Sequence, residues 1–373
     1  MRIGIDMRMA GTGEGIARYI EELVCHLAEI DRENEYVLLF QDADVSTKFK
    51  IQNPKFRKQI VYSKYYSFAE QAMLIWELWR LKLDLVHFPS FNAPVFYPGR
   101  FVVTIHDIIH HHFPGKKKSH LFHRLAYRFV IKMAIKRSKK IIAVSENTKN
   151  ELVRHYSVPD NKISLIYEGV RDSFFQTAAA DQSTDDVVRK KFDITKPYLL
   201  FVGVWRKYKN LPFLARVFDI LKERYGRDCQ LVLAGKIDPF YPEIRREVFA
   251  SKHAADLRAL GYVSDLDLQV LYRGASAFVL PSLIEGFGLI GIEAQAAGTV
   301  VIASDIPVLR EILGDAAAYF DPKDELGAAE KINRVLTDAA HREALSDKGL
   351  ANVKRFDWNE AARQTLMVYK NVL

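Results

Sequence analysis

A chain of 373 residues and 42.8 kDa exceeds one average domain and points to two. Its 49% hydrophobic and 27% charged residues exclude a disordered polymer or a collagen, and two distant cysteines, Cys25 and Cys229, exclude a disulfide scaffold and read as reduced thiols of a cytosolic protein. The net charge of +8 resides in residues 1–175, and residues 51–150 alone carry 18 basic and 5 acidic side chains, a field of +13 that attracts phosphates, nucleic acid or anionic lipid.

The chain opens on MRIGIDMRMAGTG, which reads as a buried strand running into a glycine loop and not as a signal peptide. No window of about 18 consecutive apolar residues is present to span a membrane. Short apolar runs predict strands at Arg2–Asp6, Tyr36–Phe40, Leu85–Phe88, Phe101–Ile105, Lys140–Val144 and Ile163–Ile166 in the first half. The second half repeats the pattern at Tyr198–Val202, Gln230–Ala234, Ala277–Leu280 and Val300–Ala303. Several are rich in Val, Ile and Leu without polar alternation, as strands covered on both faces should be, and helical patterns lie between them. Such alternation predicts parallel α/β sheets with right-handed crossovers, in two groups. Gln176–Arg189, poor in large apolar residues, reads as a linker or an exposed insertion near a domain boundary, and Asp357–Leu373 as a terminal helix that returns to the first domain.

Several stretches carry candidate chemistry. Gly11, Gly13 and Gly15 follow the first strand and precede a helix from near Ile16. As a dinucleotide signal this is weak, because Phe40–Gln41 occupies the place where an acidic residue would hold a ribose. His106 ends the strand Phe101–Ile105, where a lone histidine is more often structural. His110, His111, His112, His120 and His123 crowd the same region without zinc spacing to either cysteine, and read as surface or acceptor-side residues.

In the second half, Gly203 and the cations Arg206, Lys207 and Lys209 follow a strand end, the edge at which parallel sheets bind ligands. Fixed cations there suit the charge that grows on a departing diphosphate. The strongest segment is Ala277–Arg310, which reads strand, loop, helix, strand. Its loop Ser282–Gly288 carries Glu285, Gly286, Phe287 and Gly288, and a helix from Leu289 to Ala297 carries Glu293 before Gly298 stops it. Glycines at a helix N-terminus leave N–H groups to meet an anion or hydroxyls. Glu285 alone passes as a solvated helix-start residue; Glu293, among Ile292, Ala294 and Ala296, does not. One acidic residue in the loop and one in the helix suit two parts of one extended ligand.

The spacing of Glu285 and Glu293 within PSLIEGFGLIGIEA resembles the hallmark of retaining family-4 glycosyltransferases of the GT-B fold. GTGEGIARYI, VTIHD, AVSENTKNEL, FVGVWRKYKNL and LGYVSDLDLQVLY fall in the same family's order along nearly the whole chain. The resemblance implies two Rossmann-like domains facing across a cleft, with the C-terminal helix returning to the first. It implies an acceptor-binding domain over 1–172 plus 357–373 and a nucleotide-sugar domain over 173–356. By similarity Lys209 binds the donor diphosphate, and Arg206 stands in for an arginine that the family places where this chain has Tyr208. Gly13 and Gly15 approach the donor through their backbone, His106 contacts the transferred sugar, and Tyr262 and Val263 meet the nucleobase.

The expected activity is retaining transfer of a hexose, with GDP-mannose favoured over UDP-linked hexoses, to a glycan or lipid-linked acceptor of polysaccharide or O-antigen assembly. No metal, cofactor or nucleic acid is expected to take part. The basic stretch, with Phe68, Trp76, Trp79 and Lys116–Lys118, is expected to face an anionic membrane, which would put the enzyme in the cytoplasm at the inner face of the cell membrane. Aromatic core and solvating lysines are the alternative for that stretch. A nucleotide-sugar epimerase and a non-catalytic membrane- or nucleic-acid-binding protein stay open for the whole chain.

Overall fold

The computed structural model describes residues 1–13, 15–65, 67, 70–113, 121–175 and 182–372. Lys116–Lys118, Phe68, His120 and the first part of the expected linker, 176–181, lie outside the described residues, as do the side chains of His110, His112, His123 and Arg124. Two compact units are present: Met1–Ile108, Lys118–Gly169 and Phe356–Leu373 form the first, and Ile109–Lys117 with Val170–Arg355 the second, counting described residues in each.

The first unit holds a seven-stranded sheet of β1 (Arg2–Asp6), β2 (Glu35–Phe40), β3 (Phe56–Ile60), β4 (Leu85–Phe88), β5 (Phe101–Ile105), β6 (Lys140–Ala143) and β7 (Ile163–Leu165). Their order is β3-β2-β1-β4-β5-β6-β7, and every pairing is parallel. The second unit holds β8 (Tyr198–Val202), β9 (Gln230–Ala234), β10 (Leu257–Gly261), β11 (Ala277–Leu280), β12 (Val301–Ser304) and β13 (Ala317–Phe320), in the order β10-β9-β8-β11-β12-β13, again parallel. Both are Rossmann-like sheets in which strand order reverses once, between β1 and β4 and between β8 and β11. Loops leaving two neighbouring strands diverge at such a reversal and leave room for a ligand at their carboxyl ends.

Three strands, β3, β10 and β13, lie beyond the ten runs given above, and all are sheet edges; of β10 only Leu257 is buried. β3 (FRKQI) exposes its three central residues, so it lacks the apolar run of a strand covered on both faces. β13 is short and alanine-rich. The expected linker is helical in its later part: Gln182–Lys191 forms a helix that buries Val188 and pairs Asp185 with Arg273 and Lys191 with Asp267. Ion pairs to the helix Asp265–Gly274 give a polar segment an order that its composition does not advertise.

The terminal helix runs Trp358–Lys370, with the Asp357 carboxylate accepting from the Asn359 amide. It packs on the helix Gly15–Ile30 of the first unit, burying Trp358, Ala361, Ala362 and Tyr369. Gly169, where the chain leaves this unit, sits so close to Trp358 that a Cβ would collide with the Trp358 amide nitrogen and ring.

Candidate active site

The site follows from the neighbouring of β8 and β11. Ala277 pairs with Leu199 and Phe278 with Leu200, so the loops that leave these two strands run side by side. The Leu283 amide donates to the Tyr208 carbonyl at 2.8 Å and ties one loop to the other. After β8 the backbone turns at Gly203 (φ 150°), whose carbonyl crowds Gly235 so closely that no Cβ fits there. The chain then forms a one-turn helix at Lys207–Lys209 and turns again at Asn210 (φ 56°) to enter the helix Leu211–Tyr225.

Lys209 emerges from that turn onto the opposite loop. Its Nζ lies 2.6 Å from Glu285 Oε1, which also accepts from Ser282 Oγ at 2.6 Å. The two charged side chains retain only 12% and 9% of their exposure, so this ion pair is largely sheltered from solvent screening. Gly286, Phe287 and Gly288 are buried behind Glu285, and Gly288 takes φ 95° as the N-cap of the helix Leu289–Ala296. No side chain caps that N-terminus, which leaves its N–H groups toward the loop that Lys209 reaches. Glu293 lies inside the helix, 1% exposed, and accepts from the Tyr272 hydroxyl at 3.3 Å.

Arg206 is placed differently from Lys209. Its Nε donates to Asp238 Oδ2 at 3.3 Å, so its charge is partly neutralised by a residue beyond β9. Tyr262 and Val263 follow β10, whose Gly261 carbonyl accepts from the Gly235 amide at 2.7 Å. The Tyr262 ring is exposed and carries the Lys236 amine 5.4 Å from its centroid. A flat ring with a cation over it offers a stacking surface for a planar group. Asp238, Tyr272 and Lys236 had no signal in the sequence, since each acts through a residue on another element.

The remaining candidates belong to the first unit. Gly13 takes φ 73°, and Gly15 opens the helix Gly15–Ile30 with clear space where a Cβ would project. His106 closes β5 and bonds to Glu168 and to the Pro89 carbonyl. Among the described residues, no three His, Cys, Asp or Glu side chains gather as a metal site, and no helix is long and apolar enough to cross a membrane.

Two Rossmann-like parallel sheets, the second with a buried Lys–Glu pair and a glycine-capped helix at its strand-order reversal, are the architecture of a GT-B glycosyltransferase. A solved structure of the Anabaena protein HepE in complex with UDP-glucose superposes with a TM-score of 0.79 over 100% of both chains, at 15% identity. Residues 13–174 match the family model "Glycosyltransferase Family 4" and residues 183–351 match "Glycosyl transferases group 1". The chain belongs to family-4 glycosyltransferases. It is 29% identical to "O-antigen chain mannosyltransferase B" of Escherichia coli over 95% of this chain and 96% of that one. It is 31% identical to "O-antigen chain mannosyltransferase RfbU" of Salmonella typhimurium over 64% of this chain and 62% of that one.

Proposed function

We propose that this glycosyltransferase moves mannose from GDP-mannose to a glycan or lipid-linked acceptor of O-antigen-type polysaccharide, with retention at the anomeric carbon. The carrying observation is the Lys209–Glu285 pair beside the uncapped N-terminus of the helix Leu289–Ala296. Lys209 and that N-terminus supply positive potential for a diphosphate, while Glu285 supplies an acceptor for sugar hydroxyls. In this reading the bond from C1 to the diphosphate oxygen breaks, and the acceptor oxygen bonds to C1 on the same face. The acceptor's proton passes to the departing phosphate. Glu293 holds ribose hydroxyls and Tyr262 and Val263 face the base, while Gly13, Gly15 and His106 of the first unit are assigned to the donor by their likeness to the family's motifs. Charge on the leaving group is met by Lys209, with Arg206 in support, so the reading assigns no metal ion or other cofactor.

The choice of mannose rests on two relatives named as mannosyltransferases. Incubation with GDP-mannose, UDP-glucose, UDP-galactose and ADP-glucose, with a lipid-extract acceptor, tests it. Acceptor-dependent release of GDP and transfer of α-linked mannose is the expected result. Release of UDP or ADP alone would replace the donor, and a β-linked product would replace the stereochemistry.

The same proposal places the enzyme in the cytoplasm, at the inner membrane face. Helix Glu70–Arg80 buries Leu74 and Leu78 and leaves Met73, Trp76 and Trp79 outward, with Trp79 72% exposed and the Arg80 guanidinium over the Trp76 ring. These aromatics are not core. Exposed tryptophans within a segment of balance +13 suit the headgroup level of an anionic bilayer. Co-sedimentation with anionic but not neutral vesicles is expected, falling with salt and falling further in a Trp76→Ala/Trp79→Ala variant. Equal indifference to both vesicle types would remove the membrane from the proposal.

A further inference from the structure

Two histidines of the first unit, His87 fully buried and His106 largely so, lie close enough to feel each other's charge, and their partners set them apart. His87 faces two hydroxyls, with Nδ1 2.7 Å from Tyr369 Oη and Nε2 2.8 Å from Thr104 Oγ1. Hydroxyls donate or accept as required, so a neutral ring is fully satisfied there. Burial, reinforced by the neighbouring charge of His106, pushes the His87 pKa down to about 3.

His106 faces only acceptors. Its Nδ1 is 2.9 Å from Glu168 Oε1 and its Nε2 is 2.9 Å from the Pro89 carbonyl oxygen. A neutral imidazole carries one N–H and one lone pair, so either tautomer would aim a lone pair at an oxygen lone pair. The doubly protonated ring donates to both. The Tyr19 ring meets the imidazole edge-on at 4.7 Å, and Thr148 Oγ1 donates to the His106 carbonyl at 3.0 Å, so neither ring nor backbone is free to turn. Burial opposes charge on this ring, but the Glu168 hydrogen bond and charge, with the Pro89 carbonyl and Asp107, outweigh it and raise the pKa above 6.5. Glu168 is 5% exposed and precedes Gly169, which is itself held against Trp358.

Deepening the donor-site reading above, we propose that Glu168 is a positioning residue that holds His106 as a fixed imidazolium, so that His106 serves as an oriented cation and not as a proton-transfer base. The carboxylate comes from the stretch that leads out of this unit, the carbonyl from the loop after β4, and the histidine from the end of β5. One charged ring therefore sets the geometry of three segments. Among the described residues, the charged or titratable groups around it are Glu168, Asp107, His87 and Tyr19.

Full-length protein labelled with [13Cε1]histidine tests this without any substrate. The His106 resonance is identified by its loss in His106→Gln. In the wild type it should keep its imidazolium shift through the neutral range, while His87 keeps the neutral shift down to mildly acidic pH. In Glu168→Gln the His106 titration should move to lower pH, and in Glu168→Asp it should be largely restored. A neutral His106 ring at pH 6.5 in the wild type would overturn the proposal, and so would an unchanged titration in Glu168→Gln. If Glu168→Gln does not fold, the wild-type and Glu168→Asp titrations decide the question alone.

A kinetic arm follows once the donor is known. In Glu168→Gln, kcat should decline with rising pH through the lowered titration while the wild type does not, with donor KM less affected. A loss equal at every pH would mark a merely structural role and overturn the proposal. Failure of the donor panel leaves the spectra untouched, so the two readings fail separately.

Discussion

Replacing Lys209 by alanine is expected to lower kcat/KM for the nucleotide-sugar donor by about 10²–10³, the effect of removing one preorganised group aimed at developing charge. The magnitude follows from placement. Lys209 is held by a turn after β8 and is largely shielded from water, so its interaction with a phosphate is weakly screened and needs little reorganisation. A second effect accompanies the first. Lys209→Ala leaves Glu285 with Ser282 as its side-chain partner, and breaking a largely buried pair from one side costs up to about 3–5 kcal/mol of stability.

The two effects are separable. In the double variant Lys209→Ala/Glu285→Gln the stranded charge is gone, so thermal stability should largely return while turnover stays low. Recovery of turnover in the double variant would reduce Lys209 to a counter-ion for Glu285 and sink its role at the leaving group. Glu285→Gln alone should lower kcat, and Glu293→Gln should mainly raise donor KM. The helix N-terminus at Gly288 persists in all these variants, so residual activity above background is expected from each.

The central strands were legible because burial on both faces demands unbroken apolar runs: β1, β5, β8, β9 and β11 sit where those runs place them. The edge strands β3, β10 and β13 face no such demand, and their residues carry little signal. The same distinction governs the site. Lys209 and Glu285 each stood out in its own loop, yet their contact across 76 residues depends on β8 pairing with β11, which local pattern does not encode. Arg206 illustrates the converse. A cation at a strand end reads as a phosphate ligand, while its partner Asp238 lies beyond β9 and becomes relevant only once β8 and β9 are side by side. Glu168 was invisible for a like reason: its meaning lies in His106, 62 residues earlier.

The glycine loop after β1 rests on an element that composition also conceals. Arg8 has a fully buried side chain between two carboxylates, with Nη2 2.7 Å from Asp6 Oδ2 and 2.5 Å from Glu70 Oε1. Its Nε reaches Asp6 Oδ1 at 2.8 Å, and Asn92 donates to both oxygens of Glu70 at 2.8 and 3.0 Å. Burial opposes the charge on Arg8, but the two carboxylates outweigh it and hold the guanidinium protonated. Glu70 shows the cost of the arrangement: burial raises its pKa despite Arg8 and Asn92. Arg8→Met should therefore destabilise the first unit by about 3–5 kcal/mol, since it leaves two carboxylates facing each other without their cation.

The sign with pH is opposite to that of an ordinary acid-labile pair. In Arg8→Met the buried Glu70 carboxylate, already raised by burial, loses its cation and binds its proton more tightly than in the unfolded chain, so the variant regains stability as pH falls from neutral toward the usual carboxylate range and loses it as pH rises. Urea unfolding of wild type and variant across that range, fitted with one transition per unit, measures the difference. The triple variant Asp6→Asn/Arg8→Met/Glu70→Gln should recover much of the loss, because no net charge is left buried. A deficit below about 1 kcal/mol in Arg8→Met, or one that does not depend on pH, would mean that water reaches the cluster and that the loop carrying Gly11 and Gly13 does not depend on it.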